Sequence, residues 1–177
     1  MIYVLLGYMG SGKSVLGKAF AKELSQPYTD LDTYIEKNEG MSISQIFSTR
    51  GEIYFRKKEL AYLRSFLESN DDSVLSLGGG TPCSPGAMEY INGLSHTTTI
   101  YLKASVATLV ERLFPERSHR PMIAHLKSEA DLNDFIRKHI FERSPYYSAA
   151  QVQLVVDTGS VDYLVTELLY KLKTIRS

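Results

Sequence analysis

One cysteine is too few for an internal disulfide: Cys83 stands alone among 177 residues, which fits a reducing compartment. An excess of either charge is also missing, since 20 basic and 20 acidic residues cancel to a formal net charge of zero. A protein that grips nucleic acid normally shows a basic excess, so a polyanion partner is disfavoured. No apolar run reaches about 18 residues, and no basic segment with a cleavable apolar stretch opens the chain. There is no internal repeat and no low-complexity tract. The expectation is a cytoplasmic protein with neither a membrane nor a nucleic-acid partner. The hydrophobic share, 44%, is that of an ordinary globular chain. The length suits one domain with a substantial core.

Within this plain background Gly7-Tyr8-Met9-Gly10-Ser11-Gly12-Lys13-Ser14 satisfies the phosphate-loop pattern G-x-x-x-x-G-K-[ST],. Ile2 to Leu6 before it is a β-favouring apolar run, and Val15, Leu16, Ala19, Phe20 and Leu24 after it recur at helical spacing,. Glycines let successive N–H groups curl around a phosphate, and the helix N-terminus adds partial positive charge. Lys13 would reach the β- and γ-phosphates, and the Ser14 hydroxyl would face Mg²⁺.

Strand-like runs alternate with helical patterns, which predicts an α/β fold with a parallel sheet. The strands are expected at 2–6, 28–31, 73–77, 98–102 and 154–157. The helices are expected at 13–24, 33–38, 43–47, 50–68, 106–114, 131–141 and 161–175. Ser42 to Gln45 and Thr49 to Glu52 both match the capping box. The helical stretch 33–68 and the basic, proline-bearing segment 115–127 interrupt the βα rhythm, where α/β proteins place substrate sites and lids,.

Asp30 and Asp32 end the second expected strand, whose period of two would turn both toward the phosphate loop. One could hold Mg²⁺ through water and the other act as base toward a substrate hydroxyl; alternatively, Asp32 caps the helix that follows. Arg56 falls on an apolar stripe of Ile53, Leu60, Leu63 and Leu67. Arg143 continues another, of Leu132, Phe135, Ile136 and Ile140. An inward guanidinium needs an anionic partner, either a structural carboxylate or a substrate carboxylate or phosphate. Gly78-Gly79-Gly80 follows the third strand and would allow close backbone approach to a ligand. Cys83 lacks a His or acidic partner in its motif and reads as a bystander. Arg112, Arg117, His119 and Arg120 cluster at the second insertion, with Arg120-Pro121 the best candidate for an arginine that closes on ATP.

In order, GYMGSGKS at 7–14, DLD at 30–32, GEIYFR at 51–56, GGG at 78–80, RP at 120–121 and ERSPYY at 142–147 resemble shikimate kinase over nearly the whole chain. The resemblance implies a single kinase domain over 1–177. Its fold would be a three-layer sandwich, nucleoside-kinase-like, with a five-stranded parallel sheet, a substrate-binding insertion at 33–68 and a lid at 115–127. It implies phosphorylation of the 3-hydroxyl of shikimate by ATP, with Mg²⁺, by a cytoplasmic protein expected to be a monomer. By resemblance, Gly10, Ser11, Gly12, Lys13, Ser14 and Val15 bind the ATP phosphates, Arg112 lies against adenine and Arg120 is the lid arginine on ATP. Ser14 and Asp30 serve the metal. Asp32, Arg56, Gly79 and Arg143 bind shikimate, with Lys13, Asp32 and Arg120 catalytic. The loop at Asp157-Thr158-Gly159 corresponds to the adenine side. The rival readings are a gluconate kinase-like enzyme, a nucleoside monophosphate kinase and a non-catalytic nucleotide-binding module.

Overall fold

The computed structural model describes residues 1–69 and 71–175. Five strands, β1 (Ile2–Leu6), β2 (Tyr28–Asp30), β3 (Ser73–Ser76), β4 (Thr97–Lys103) and β5 (Val152–Val155), form one parallel sheet in the order β2-β3-β1-β4-β5. Parallel neighbours need crossovers. These are supplied by α1 (Lys13–Glu23), α2 (Leu31–Glu39), α3 (Ile43–Ser69), α4 (Ala87–Gly93), α5 (Val106–Leu113), α6 (Glu129–Ser148) and α7 (Val161–Thr174). Every residue of β1 is buried, with Val4 registered against Leu75 on one side and Thr99 on the other. Helix α1 packs on β3 and α7, α4 on β4, and α5 on α6. The expected five-stranded α/β architecture is present. Chain direction over the sheet reverses at β1, so the carboxyl ends of β1, β3 and β4 open the crevice where such folds bind ligands. Among the described residues no helix is long and apolar enough to cross a membrane.

Several boundaries differ from the sequence expectation, each for a local reason. Strand β2 stops at Asp30 because its carboxylate caps α2, accepting from the N–H groups of Asp32 (3.0 Å) and Thr33 (3.3 Å). Leu31 is therefore helical. The capping box at Ser42 and Gln45 forms, with reciprocal bonds of 3.2 and 2.9 Å. The one expected at Thr49 does not, because its hydroxyl donates back to the Gln45 carbonyl (2.6 Å). The break within α3 falls instead at Gly51, whose φ of 81° and ψ of 171° leave helical space. Helix α4 escaped the sequence reading. It is one short element, buried through Ala87, Met88 and Ile91.

The largest difference is α6, expected to end at 141 and continuing to Ser148 with Pro145 inside it. Proline removes one helical hydrogen bond and crowds the carbonyl four residues back. Tertiary anchoring overrides that cost: Tyr147 is fully buried, its ring lies 5.2 Å from that of Tyr101, and its hydroxyl donates to the Gly79 carbonyl at 2.7 Å.

Candidate active site

The phosphate loop leaves β1 and enters α1 through Gly12, whose φ of 89° is left-handed, a conformation costly for residues with a Cβ. No side chain caps α1, so its first N–H groups face the crevice as an anion site. Lys13 Nζ donates to the carbonyls of Gly7 (2.9 Å) and Tyr8 (3.1 Å). Burial pulls the Lys13 pKa down to about 8, against the opposing pull of Asp30 and Asp32. A cavity of about 670 Å³ is lined by Gly10, Gly12, Lys13, Ser14, Val15, Asp30, Asp32, Gly79, Arg112 and Arg120. Ser11 is buried behind the loop and lines a smaller cavity of about 270 Å³ with Val15, Arg112, Val156 and Gly159. Val15, read from its spacing as part of the apolar face of α1, is 62% exposed because it projects into these two cavities.

Asp30 and Asp32 do face the phosphate loop together, although not by strand alternation. One is the cap of α2 and the other lies in its first turn, so the alternative role of helix cap belongs to Asp30. Burial, then Asp30 and Glu59, push the Asp32 carboxyl up to about 6, while Lys13 opposes them. A carboxylate poised there suits a general base.

On the far side of the Gly78–Gly80 turn a second cavity, of about 370 Å³, is lined by Arg56, Leu60, Gly80, Cys83 and Arg143. Arg56 is half-buried, and of the stripe expected for α3 Leu63 and Leu67 are buried and Leu60 packs against the core. Ile53 departs from the stripe, at 89% exposed, and a neighbouring buried row runs through Phe55, Glu59, Leu63 and Phe66. Glu59, 1% exposed, is the partner that Arg56 requires: its carboxylate accepts from Arg56 at 2.8 Å and from the Thr81 hydroxyl at 2.6 Å. Sequence reasoning missed Glu59 by following the neighbouring row of the helix. The signal was a charge four residues after Phe55 and four before Leu63.

The Glu39 carboxylate ties α2 to α3 through the hydroxyls of Tyr62 (2.6 Å) and Tyr54 (2.7 Å) and the Lys58 ammonium (3.1 Å), which hold its pKa down to about 2. These contacts fix the helix that carries Arg56. Arg143 is half-buried on α6, as its stripe implied, and among the described residues it makes no ion pair. It donates to the Gly79 carbonyl at 3.4 Å and lies 5.7 Å from the centre of the Tyr8 ring.

The three glycines are where the two cavities meet. A Cβ at Gly78 would lie 3.0 Å from Asp32 Oδ1, one at Gly79 3.8 Å from the Arg143 guanidinium, and one at Gly80 2.9 Å from that of Arg56. Side chains, as well as any ligand, need that space. Cys83 lies on the second cavity's wall, where burial pushes its thiol pKa up, away from nucleophilic use.

Arg120 reaches the larger cavity paired with Glu116 at 3.1 Å. Its segment is stitched at both ends by Arg117, which donates to the carbonyls of Phe114 (2.7 Å) and Leu126 (3.2 Å), and is pinned by fully buried Ile123. Arg112 bridges the phosphate loop and the end of β5, donating to Gly10 (3.3 Å) and Val156 (2.8 Å). Asp157 accepts from the Ser105 N–H at 2.7 Å. Among the described residues no cluster of three or more His, Cys, Asp or Glu side chains could hold a metal. The oxygen groups placed for a hydrated cation beside the loop are Ser14 and Asp30,.

An uncapped helix behind a phosphate loop, facing an aspartate whose pKa is raised to about 6 at the switch point of a parallel sheet, defines the P-loop kinase class. Sequence and structure comparisons narrow that class. The shikimate kinase family model matches residues 9–173. The shikimate kinase of Flavobacterium johnsoniae is 42% identical over 94% of this chain and 95% of its own. The crystal structure of shikimate kinase from Bacteroides thetaiotaomicron superposes with a TM-score of 0.89 at 34% identity over 98% of both chains. That of Acinetobacter baumannii shikimate kinase in complex with shikimate superposes with a TM-score of 0.83 at 26% identity over 98% of this chain and 93% of that one. The chain belongs to the shikimate kinase family and is an ATP-using kinase.

Proposed function

We propose that this chain transfers the γ-phosphoryl group of ATP to the 3-hydroxyl of shikimate, giving shikimate 3-phosphate and ADP on the route to chorismate. We place it in the cytoplasm as a monomer, one kinase domain in which 33–68 binds the acceptor and 115–127 is the lid. The observation that carries the reading is the Gly78–Gly80 turn, which has Asp32 against its first residue and two guanidiniums against the next two. A small acceptor that carries both a carboxylate and a hydroxyl on one ring suits that order of charges along the turn.

In this reading the N–H groups from Gly10 to Val15 hold the phosphates, and Arg112 lies against adenine. Arg56 and Arg143 take the carboxylate, with Gly79 offering its backbone. Ser14, and Asp30 through water, would hold Mg²⁺, which when bound would neutralise charge on the ATP phosphates. The site fits such an ion: the Tyr28 hydroxyl and Ser76 Oγ are buried without a well-formed hydrogen bond, and Tyr28 faces Ser14, Ser76 and Asp30. Asp32 accepts the proton of the 3-hydroxyl as its oxygen bonds to the γ-phosphorus. The bond from phosphorus to the β–γ bridging oxygen breaks and ADP leaves. Lys13 and Arg120 stabilise the charge on the transferring group.

Coupled ADP release with Mg-ATP tests this reading. Turnover with shikimate and none above background with gluconate is the expected result. A preference for gluconate, or ADP release indifferent to acceptor, overturns it. The pH profile tests the base. Because the Asp32 pKa in the free enzyme is raised to about 6, protonation below that value removes the acceptor of the hydroxyl proton. Log kcat/KM is expected to fall on the acid side with a limb near 6, about tenfold per pH unit. A profile flat to pH 5 would remove Asp32 from that role.

A further inference from the structure

On α6 the residues Phe135, His139, Arg143 and Tyr147 stand four apart, so they form one ridge. The ridge touches three functional segments in turn. The Phe135 ring meets that of His125 at 6.5 Å, in the proposed lid. His139 Nδ1 lies 3.1 Å from the Tyr8 hydroxyl, in the phosphate loop. Arg143 and Tyr147 both donate to the Gly79 carbonyl. Tyr8 occupies a position the phosphate-loop pattern leaves free, yet it is 2% exposed, and Arg143 lies against its ring.

A buried phenol needs a hydrogen-bond partner, and His139 is the one the structure provides. Burial pushes the Tyr8 pKa up to about 12, so the hydroxyl keeps a proton to donate. When Nδ1 accepts that proton, the ring's own hydrogen sits on Nε2. The imidazole is itself held from behind, with the Phe135 ring 4.2 Å away.

We propose that His139 is a positioning residue for the acceptor: by accepting the Tyr8 hydroxyl hydrogen it locks the Tyr8 ring against the Arg143 guanidinium and aims that guanidinium into the cavity shared with Arg56. Arg143 has no carboxylate partner among the described residues, in contrast to Arg56 with Glu59. Its direction is therefore set by the Gly79 carbonyl, the Tyr147 hydroxyl and the Tyr8 ring. The inference rests on the reading that Arg143 contacts the acceptor carboxylate.

The test is steady-state kinetics on the full chain, with shikimate and ATP varied separately. His139→Ala is expected to raise the shikimate KM about three- to tenfold, with kcat and the ATP KM within about twofold. Tyr8→Phe should produce the same split, since it deletes only the donated hydrogen. The double variant should be no worse than either single one. His139→Asn, which can present its amide oxygen where Nδ1 stood, should restore most of the affinity. The ¹⁵N shifts of His139 should report the Nε2–H tautomer in the parent and lose that bias in Tyr8→Phe.

A shikimate KM unmoved in both single variants, single effects that multiply in the double, or ATP and shikimate KM rising together would each overturn the proposal. If His139→Ala does not fold, Tyr8→Phe and His139→Asn decide it. Arg143→Ala separates the two readings. If it raises the shikimate KM while the His139 and Tyr8 variants do not, the positioning role alone fails. If Arg143→Ala leaves that KM unchanged, the carboxylate contact and the positioning role fall together.

Discussion

Asp32→Asn is expected to lower kcat about 10²–10⁴-fold and to raise the melting temperature of the same protein. Both effects follow from the environment that pushes the Asp32 pKa from 3.8 to about 6. Amide nitrogen and oxygen reproduce the shape of the carboxylate but cannot take the proton of an attacking hydroxyl. The stability effect has the opposite sign. A carboxyl whose folded-state pKa is raised favours folding while it is neutral. That contribution is fully present below the unfolded value of 3.8 and is lost as pH rises through about 6,. At pH 7 the native state therefore carries a carboxylate that burial, Asp30 and Glu59 all oppose. Asparagine removes the charge, for a gain of about 1–3 kcal/mol, or about 2–4 °C in Tm for each kcal/mol. The comparison needs one calorimetric scan and one rate for each protein. A variant that turns over normally, or that melts lower than its parent, would contradict the account of Asp32.

The second large effect separates two roles that Arg56 combines. Arg56→Ala removes a proposed contact with the acceptor carboxylate and also strands Glu59, which is 1% exposed. The shikimate KM is expected to rise about ten- to a hundredfold, because hydrogen bonds to charged groups are worth about 1.5–3 kcal/mol. Stability should fall as well, since a buried carboxylate without its partner costs at least about 1–3 kcal/mol. Adding Glu59→Gln removes the stranded charge and leaves the Thr81 hydroxyl an amide oxygen to donate to. The double variant should regain most of the lost Tm and almost none of the lost affinity. Arg143→Ala, with no ion pair to break among the described residues, should raise KM by a similar factor with a smaller drop in Tm. Recovery of shikimate affinity together with stability in the double variant would make Arg56 a structural residue and end its place in the acceptor site.

The phosphate loop was legible because its parts are contiguous. A strand, four turn residues, two glycines with a lysine and a helix lie within the first 24 positions. Arg143 was legible as an inward arginine because the stripe of α6 is regular up to it. The Arg56 partner was not, because rows offset by three and by four both pass close to residue 56, and only packing selects the row containing Phe55, Glu59 and Leu63. Asp30 as helix cap was hidden for a similar reason, since an aspartate at a strand end serves equally as last strand residue or first cap. Pro145 inside α6 contradicted a sound local rule, and the burial of Tyr147 two residues later explains why the rule lost.

By itself the chain's order of residues settled the phosphate loop, the parallel α/β architecture and the inventory of charged groups available for chemistry. Those features depend on backbone freedom and side-chain periodicity within a few turns. Only the tertiary structure decided which charges confront one another: Asp32 and Glu59 at Gly78, Arg143 at Gly79, Arg56 at Gly80 and His139 at Tyr8. These pairs span up to 131 positions of sequence, and their encounter is set by how α2, α3 and α6 dock around the Gly78–Gly80 turn.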